Sequence, residues 1–199
     1  RVLYCYPERI TDKLLDVIAK QPKIVKYLDI PIQHCSGEVL KNMNRCGDQT
    51  QLKALIAKIR DKVPEIVLRT TLITGFPGET EEQFNELAEF VKTIEFDRLG
   101  CFPYSQEDGT VAGKMDNQVD DDIKAHRADI IMEQQQLIHR RKNEACMGKT
   151  FEAVVEGFDK WAECYFGRTE SDAPDIDGKV FFAGTDKLRV GQYVNIRIT

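Results

Sequence analysis

The sequence lacks closely spaced cysteines, and this absence excludes several kinds of site. Its six cysteines are so dispersed that no two form a CxxC or a CxxxCxxC pattern: Cys5, Cys35, Cys46, Cys101, Cys146 and Cys164. In a chain of 199 residues, thiols at such spacings are not typical of a disulfide framework. They give no support to a metal site either. We expect reduced thiols, most of them buried as small apolar side chains.

Long apolar runs and an excess of positive charge are also missing. No stretch approaches the roughly 20 apolar residues that span a bilayer, and no segment has the pattern of a signal peptide, so we expect a cytoplasmic protein without a membrane partner. The formal net charge of −5 argues against a general nucleic-acid binder that works through a broad basic field. The same charge is compatible with a basic protein as partner.

What the first two thirds of the chain do contain is an alternation of strand-like and helix-like patterns. Strands are predicted at 1–6, 24–30, 65–74 and 97–102. Helices are predicted at 12–20, at 49–62, after the capping-box sequence 80–83 and at 119–145. This rhythm indicates βα units around a parallel sheet. In such folds the loops that follow the strands carry the chemistry, here 31–37, 75–80 and 103–110.

The last predicted helix and the segment after it mark a change of architecture. Two apolar series spaced by seven predict a seam along the outside of the first domain: Ile123, Ile130 and Leu137, and Ile131, Ile138 and Ala145. From residue 149 short apolar segments separated by glycines predict a small antiparallel β-barrel. We place the domain boundary between residues 1–146 and 147–199.

Polar side chains interrupt the predicted strands at a few positions. Gln33 and His34 follow the second strand, where both can bind a polar cofactor, although His34 can equally satisfy a buried backbone group. Alternation places Arg69, Thr71 and Ile73 on one face of the third strand. A buried arginine needs a partner, and either a ligand carboxylate or an internal ion pair would serve.

Three loops are candidates for ligand contacts. Gly75 and Gly78 let the backbone approach a ligand closely. The aromatic loop that contains Phe102 and Tyr104 either lines a cofactor pocket or packs in the core. The acidic loop 167–178 suits an arginine-rich partner, or is simply a solvated charged loop.

Three segments, taken together, resemble the methylthiotransferase family of radical S-adenosylmethionine enzymes. They read YLDIPIQH at 27–34, MNR at 43–45 and RTTLITGFPGET at 69–80. The final β unit resembles a TRAM domain, against which substrates of this family dock. The resemblance implies an α/β fold, a partial TIM-like parallel βα barrel followed by a small OB-like antiparallel barrel.

Two branches of that family differ in substrate. One adds a methylthio group to the β-carbon of an aspartate in small-subunit ribosomal protein S-twelve, and the other modifies an adenosine in tRNA. The segments 104–110 and 167–178 are similar to the ribosomal branch. Residues 149–199 hold nine acids against seven bases, which makes a poor surface for tRNA. The tRNA enzyme and a non-enzymatic binding module stay as alternatives.

The resemblance also implies a site. It assigns the wall of the S-adenosylmethionine pocket to six residues: Gln33, Arg69, Thr71, Ile73, Phe102 and Tyr104. It assigns contacts with the substrate to Arg168, Asp172, Asp175 and Asp177. The family uses two 4Fe–4S clusters, whose cysteines precede the segment matched here. We therefore expect a piece of a longer enzyme, with no catalytic residue and no metal ligand of its own, and inactive by itself.

Overall fold

Two sheets of different kinds organise the structure, a computed structural model that describes residues 1–184 and 187–199. The first is a parallel sheet with the order β1-β2-β3. Its strands are β1 (Tyr27–Asp29), β2 (Val67–Thr74) and β3 (Arg98–Pro103). The helices are α1 (Asp12–Lys20), α2 (Gly37–Asn42), α3 (Gln49–Lys62), α4 (Glu81–Ile94) and α5 (Asp121–Glu144).

Strand β2 shows how this sheet divides its two faces. Every second residue, beginning with Leu68, is buried, and the residues between them are half-buried. Leu68 and Leu72 lie in one apolar core with Ile59 of α3 and Leu87 of α4. The helices therefore cover one face of the sheet. The opposite face, which we call the inner face, is the side that a closed βα barrel would turn inward.

Helix boundaries follow local chemistry. The hydroxyl of Thr80 accepts from the backbone N–H of Gln83, whose side chain accepts from the N–H of Thr80. This capping box begins α4 as predicted. In α5 the two predicted apolar series are each buried in part: Ile131 and Ile138 lie in the core and Ile130 packs against it, whereas Leu137 is 65% exposed.

The predicted first strand is wrong, since residues 1–6 form no regular strand. Val2 makes a single parallel bridge to Leu28 of β1. Tyr4 has a left-handed φ of 58°, and a 3₁₀ turn begins at Pro7. Both interrupt an extended ladder, because a left-handed residue reverses the strand direction and proline has no N–H to donate.

The second sheet is antiparallel and forms a curled half-barrel with the order β6-β5-β4-β7. Its strands are β4 (Thr150–Asp159), β5 (Cys164–Thr169), β6 (Val180–Phe182) and β7 (Tyr193–Arg197). The register shifts between Val155 and Gly157, and such a bulge bends the strand. Gly167 is required opposite it, because a Cβ there would lie 2.0 Å from the carbonyl oxygen of Val154. In the described part of the chain, no helix is long and apolar enough to cross a membrane.

Candidate functional site

The inner face of the parallel sheet gathers most of the residues that the sequence singled out. Arg69 is in register with Asp29 of β1 and Arg98 of β3, and Ile73 is in register with Phe102. Partners in a parallel ladder point to the same side of the sheet. The inner face is thus lined from the amino to the carboxyl ends of the strands by Tyr27, Asp29, Arg69, Arg98, Thr71, Gly100, Ile73 and Phe102.

An upper cavity of about 240 Å³ opens beside the carboxyl end of β1. Gln33 and Thr71 line it together with Arg45. Gln33 has a left-handed φ of 68°, and its backbone is fixed because its N–H donates to Thr71 (2.9 Å) and its carbonyl accepts from Ile73 (2.8 Å). Its side-chain Oε1 is buried without a hydrogen-bond partner among the described residues. That amide oxygen can accept a hydrogen bond from a ligand.

The apolar part of the predicted cofactor wall lies farther along the strands. Ile73 and Phe102 are neighbours in register, and the ring of Phe102 is 58% exposed. Tyr104 packs edge-on against Phe76, with ring centroids 5.3 Å apart. Its hydroxyl is buried, and within residues 1–184 and 187–199 it has no hydrogen-bond partner. This part of the wall thus offers an exposed aromatic ring at Phe102 and an unsatisfied hydroxyl at Tyr104.

His34, Gly75 and Gly78 contact other residues of the protein interior and do not line the upper cavity. Nδ1 of the fully buried His34 accepts from the N–H of Ser36 (2.9 Å), and its Nε2 lies 3.4 Å from Oε2 of Glu79. A Cβ on Gly75 would lie 1.9 Å from Cγ of Lys124, and one on Gly78 would lie 2.3 Å from the amide nitrogen of Asn117. The side chains of Lys124 and Asn117 therefore occupy the space beside Gly75 and Gly78 where we predicted a ligand.

An ionic cluster occupies the amino end of the inner face. Nη1 of Arg69 lies 2.6 Å from Oδ1 of Asp177, and Nη2 of Arg98 lies 2.7 Å from Oδ1 of Asp172. Nε of Arg69 also faces the carboxylate of Asp29 at 3.9 Å. The cluster consists of these five residues. For Arg69 the structure shows the internal ion pair, the second of the two partners that the sequence allowed.

Burial shifts the acid–base behaviour around this cluster. The hydroxyl of Tyr27 donates to Asp177 at 2.6 Å, and burial together with that carboxylate raises the pKa of Tyr27. Burial also raises the pKa of Asp29, against the opposing effects of the Tyr4 N–H and the Arg69 guanidinium. His139 accepts from Nη1 of Arg98 (3.3 Å) through Nδ1, and burial and the Arg98 charge lower the pKa of His139. Tyr27 and His139 are thus neutral at pH 7.

The four predicted substrate residues lie in different environments. The carboxylates of Asp172 and Asp177 are 7% and 1% exposed, because the acidic loop inserts them beneath the parallel sheet. Arg168 pairs with Glu156 through a 2.6 Å contact of its Nε. Asp175 is exposed and has a left-handed φ of 63°. Only Asp175 of the three carboxylates faces solvent.

Arg98 and Asp29 were missed as site residues. Arg98 stands second in the predicted strand 97–102, so the reasoning applied to Arg69 would have found it. Asp29 stands in the predicted strand 24–30 in the same way. No sequence signal connects either residue with Asp172 and Asp177, which lie more than 70 positions later.

Comparison with known proteins agrees with this arrangement. The radical SAM superfamily model matches residues 2–91 and the TRAM domain model matches residues 147–199. The proteins named ribosomal protein uS12 methylthiotransferase RimO from Clostridium acetobutylicum and Pelotomaculum thermopropionicum are 46% and 48% identical over 100% of this chain. The chain resembles the C-terminal part of RimO. It spans 44% and 45% of the length of these two relatives.

Solved structures support the same fold. Coproporphyrinogen III oxidase (HemN) from Escherichia coli, described as a radical SAM enzyme, superposes with a TM-score of 0.50. It is 21% identical, and the match covers 70% of this chain and 32% of that one. The chain thus has the fold of a partial βα barrel like that of radical SAM enzymes, followed by a small β domain that the TRAM model matches.

Proposed function

We propose that the chain is the C-terminal part of a methylthiotransferase that modifies an aspartate of ribosomal protein uS12, the S-twelve protein of the small subunit. The observation that carries this proposal is the match of 44–48% identity along the whole chain to proteins named RimO. Since that substrate is ribosomal, the proposal places the protein in the cytoplasm. The acidic surplus of residues 149–199 disfavours tRNA as a partner.

The upper cavity and the strand residues beyond it offer groups that suit S-adenosylmethionine. The buried Oε1 of Gln33 and the hydroxyl of Thr71 would bind the polar parts of the cofactor. Ile73 and Phe102, which lie beyond the cavity along the strands, would contact its adenine, and the buried hydroxyl of Tyr104 would be left for a further polar contact. When bound, S-adenosylmethionine supplies the 5′-deoxyadenosyl radical and the methyl group. Arg69 is not part of this proposed wall, because Asp177 occupies its guanidinium.

No iron–sulfur site is proposed within this stretch. Over residues 1–184 and 187–199 there is no group of three or more histidine, cysteine or acidic side chains that could hold a metal ion. The proposal therefore assigns the cysteine ligands of both 4Fe–4S clusters to other parts of the enzyme. The residues described here would bind and orient the cofactor and exclude water from it.

For the substrate, the proposal relies on the TRAM domain. Asp175 is the exposed carboxylate of the acidic loop, and a basic ribosomal protein would be attracted to it. Arg168, Asp172 and Asp177 would then act on the substrate only indirectly, by holding that loop in place.

Mass spectrometry tests the reaction. The complete gene product is expressed in cells that have no other enzyme of this activity, and ribosomal proteins and tRNA are isolated. We expect uS12 with one methylthio group on an aspartate. A methylthio-adenosine in tRNA with unmodified uS12 would overturn the proposal in favour of the tRNA branch, and no modification of either would overturn it altogether.

The cofactor wall is tested separately by Gln33→Asn in the complete gene product. Asparagine tolerates the left-handed backbone but withdraws the amide from the cavity. We expect the Kd for S-adenosylmethionine to rise about tenfold, the loss of one hydrogen bond. Gln136→Asn, an exposed change on α5, is the control. Equal affinities for both variants would remove Gln33 from the wall.

A further inference from the structure

We infer that the ionic cluster is a latch between the two domains, and that Asp172 and Asp177 position the TRAM domain relative to the barrel. This inference deepens the proposed function and rests on it only where the reaction is concerned.

The latch joins segments that are far apart in the sequence. The carboxylates come from the loop between β5 and β6, while their arginine partners lie near the amino ends of β2 and β3. Asp177 accepts at 2.6 Å from both Arg69 and the Tyr27 hydroxyl, so that its two oxygens are occupied by two strands of the barrel. Asp172 accepts at 2.7 Å from Arg98 on the third strand. All three strands of the parallel sheet are thus held by one loop.

The same carboxylates also shape their own loop. Oδ2 of Asp172 accepts from the N–H and the hydroxyl of Thr169, and Oδ2 of Asp177 accepts from the N–H of Ala173. The loop therefore presents its two charges in a fixed geometry. Because arginines left without partners at this depth would be strongly disfavoured, barrel and loop each depend on the other for neutralisation.

Outside the ionic cluster, few hydrogen bonds join the TRAM domain to the barrel over residues 1–184 and 187–199. At the base of the TRAM domain, the N–H of Gly148 donates to Ile198 (2.9 Å) and the N–H of Ile198 donates to Lys149 (3.0 Å), and both bonds lie within that domain. Besides the cluster, the side chain of Arg1 donates to the carbonyls of Thr169 and Glu170, the loop next to Asp172. Contacts at the loop thus determine how the domain is oriented about its connection.

For the proposed reaction, orientation has a direct consequence. The cofactor cavity lies at the carboxyl ends of the strands and the latch at their amino ends. A substrate held by the TRAM domain is therefore placed relative to the cofactor through the latch. Asp172 and Asp177 are positioning residues, since neither reaches the cavity.

The latch is tested on the 199-residue chain by the double variant Arg69→Gln with Arg98→Gln. It removes both charges from the barrel side and leaves the hydrogen bonds within the acidic loop intact. Hydrogen-exchange mass spectrometry and small-angle X-ray scattering are measured. We expect exchange of residues 169–177 to rise at least tenfold and the radius of gyration to increase, while β4 stays protected. Arg140→Gln, exposed on α5, is the matched control.

Two further variants keep the result decisive if that double variant does not fold. Asp177→Asn removes one of the two latch charges on the loop side, the one that pairs with Arg69, and Asp175→Asn changes the exposed carboxylate of the same loop. We expect faster exchange at residues 27–29 and 67–69 in the former and wild-type exchange in the latter. Unchanged exchange and an unchanged radius of gyration in Asp177→Asn would overturn the latch.

In the complete gene product, Asp177→Asn should raise the KM for the ribosomal protein about tenfold and leave the Kd for S-adenosylmethionine unchanged. A parallel loss of both would indicate general misfolding and contradict a positioning role. If no ribosomal protein is modified by the wild type, the proposed function fails, while the exchange and scattering data still decide the latch.

Discussion

At the scale of single residues, burial determines which side chains can react. Cys35 and Cys101 are packed in the core, where burial raises the pKa of each thiol to about 12. Asp29 is equally enclosed, although its neighbours oppose the shift in its pKa. The chemistry of these groups is thus set by what surrounds them, and composition alone does not reveal it.

The thiols differ in reactivity for this reason. Alkylation requires a thiolate, so Cys35 and Cys101 should stay unlabelled by iodoacetamide at pH 8 in the folded chain, while the exposed Cys46 is labelled within minutes. Peptide mass spectrometry after timed quenching measures this. Labelling of Cys35 as fast as Cys46 would contradict the packing described here.

Asp29 should make stability depend on pH. Because its folded pKa is raised above 3.8, the protonated acid favours the folded state, and that contribution is present below 3.8 and lost as the pH rises through the folded pKa. We expect the unfolding free energy of the wild type to fall relative to that of Asp29→Asn as the pH rises above 3.8. Urea titrations at several pH values measure it. Asp108→Asn, an exposed change, should run parallel to the wild type.

At the scale of elements, local signals predicted most of what formed. Helix 12–20 and helix 49–62 have the bounds that the apolar spacing indicated, since one covered face is enough to specify each. The strand predicted at 1–6 failed because a left-handed Tyr4 is not visible in an apolar run. The role of Asp172 and Asp177 was unpredictable for another reason: their partners are set by tertiary packing of distant segments.

The capping box of α4 is testable by Thr80→Ala. The change removes the acceptor for the Gln83 N–H and should lower the unfolding free energy by about 1 kcal/mol. Thr50→Ala, exposed within α3, removes a hydroxyl of the same size and should be neutral or slightly stabilising. Chemical denaturation of both variants makes the comparison, and equal effects would argue against the cap.

Helix α5 offers a second matched pair. Ile131 is fully buried against the parallel sheet, and Leu137 is 65% exposed. Ile131→Ala should cost about 2–5 kcal/mol of unfolding free energy, and Leu137→Ala less than about 0.5 kcal/mol. Denaturant midpoints distinguish them. Similar losses would mean that both predicted seams are buried in solution.

At the scale of the whole molecule, the two domains are complementary in charge where they meet. Two arginines of the barrel face two aspartates of the TRAM loop, and Arg1 donates to the carbonyls of Thr169 and Glu170 beside them. The sequence predicted substrate contacts for Asp172 and Asp177, whereas the structure pairs both carboxylates with arginines of the barrel. The arginines within predicted strands were the local signal that each needs an acidic partner.

This complementarity predicts how the whole molecule unfolds. With the cluster intact, barrel and TRAM domain should melt in one calorimetric transition, because separating them exposes unpaired charges. In Asp172→Asn with Asp177→Asn we expect two transitions. The exposed change Asp175→Asn should retain one, and a single transition in the double variant would show that other contacts couple the domains.

The pairing of barrel arginines with the acidic loop also bears on the exchange of TRAM domains between related proteins. The exchange succeeds only if the incoming loop matches the arginines already present in the recipient. A substitution of an aspartate in the acidic loop therefore has to be matched by a substitution of its arginine partner on β2 or β3.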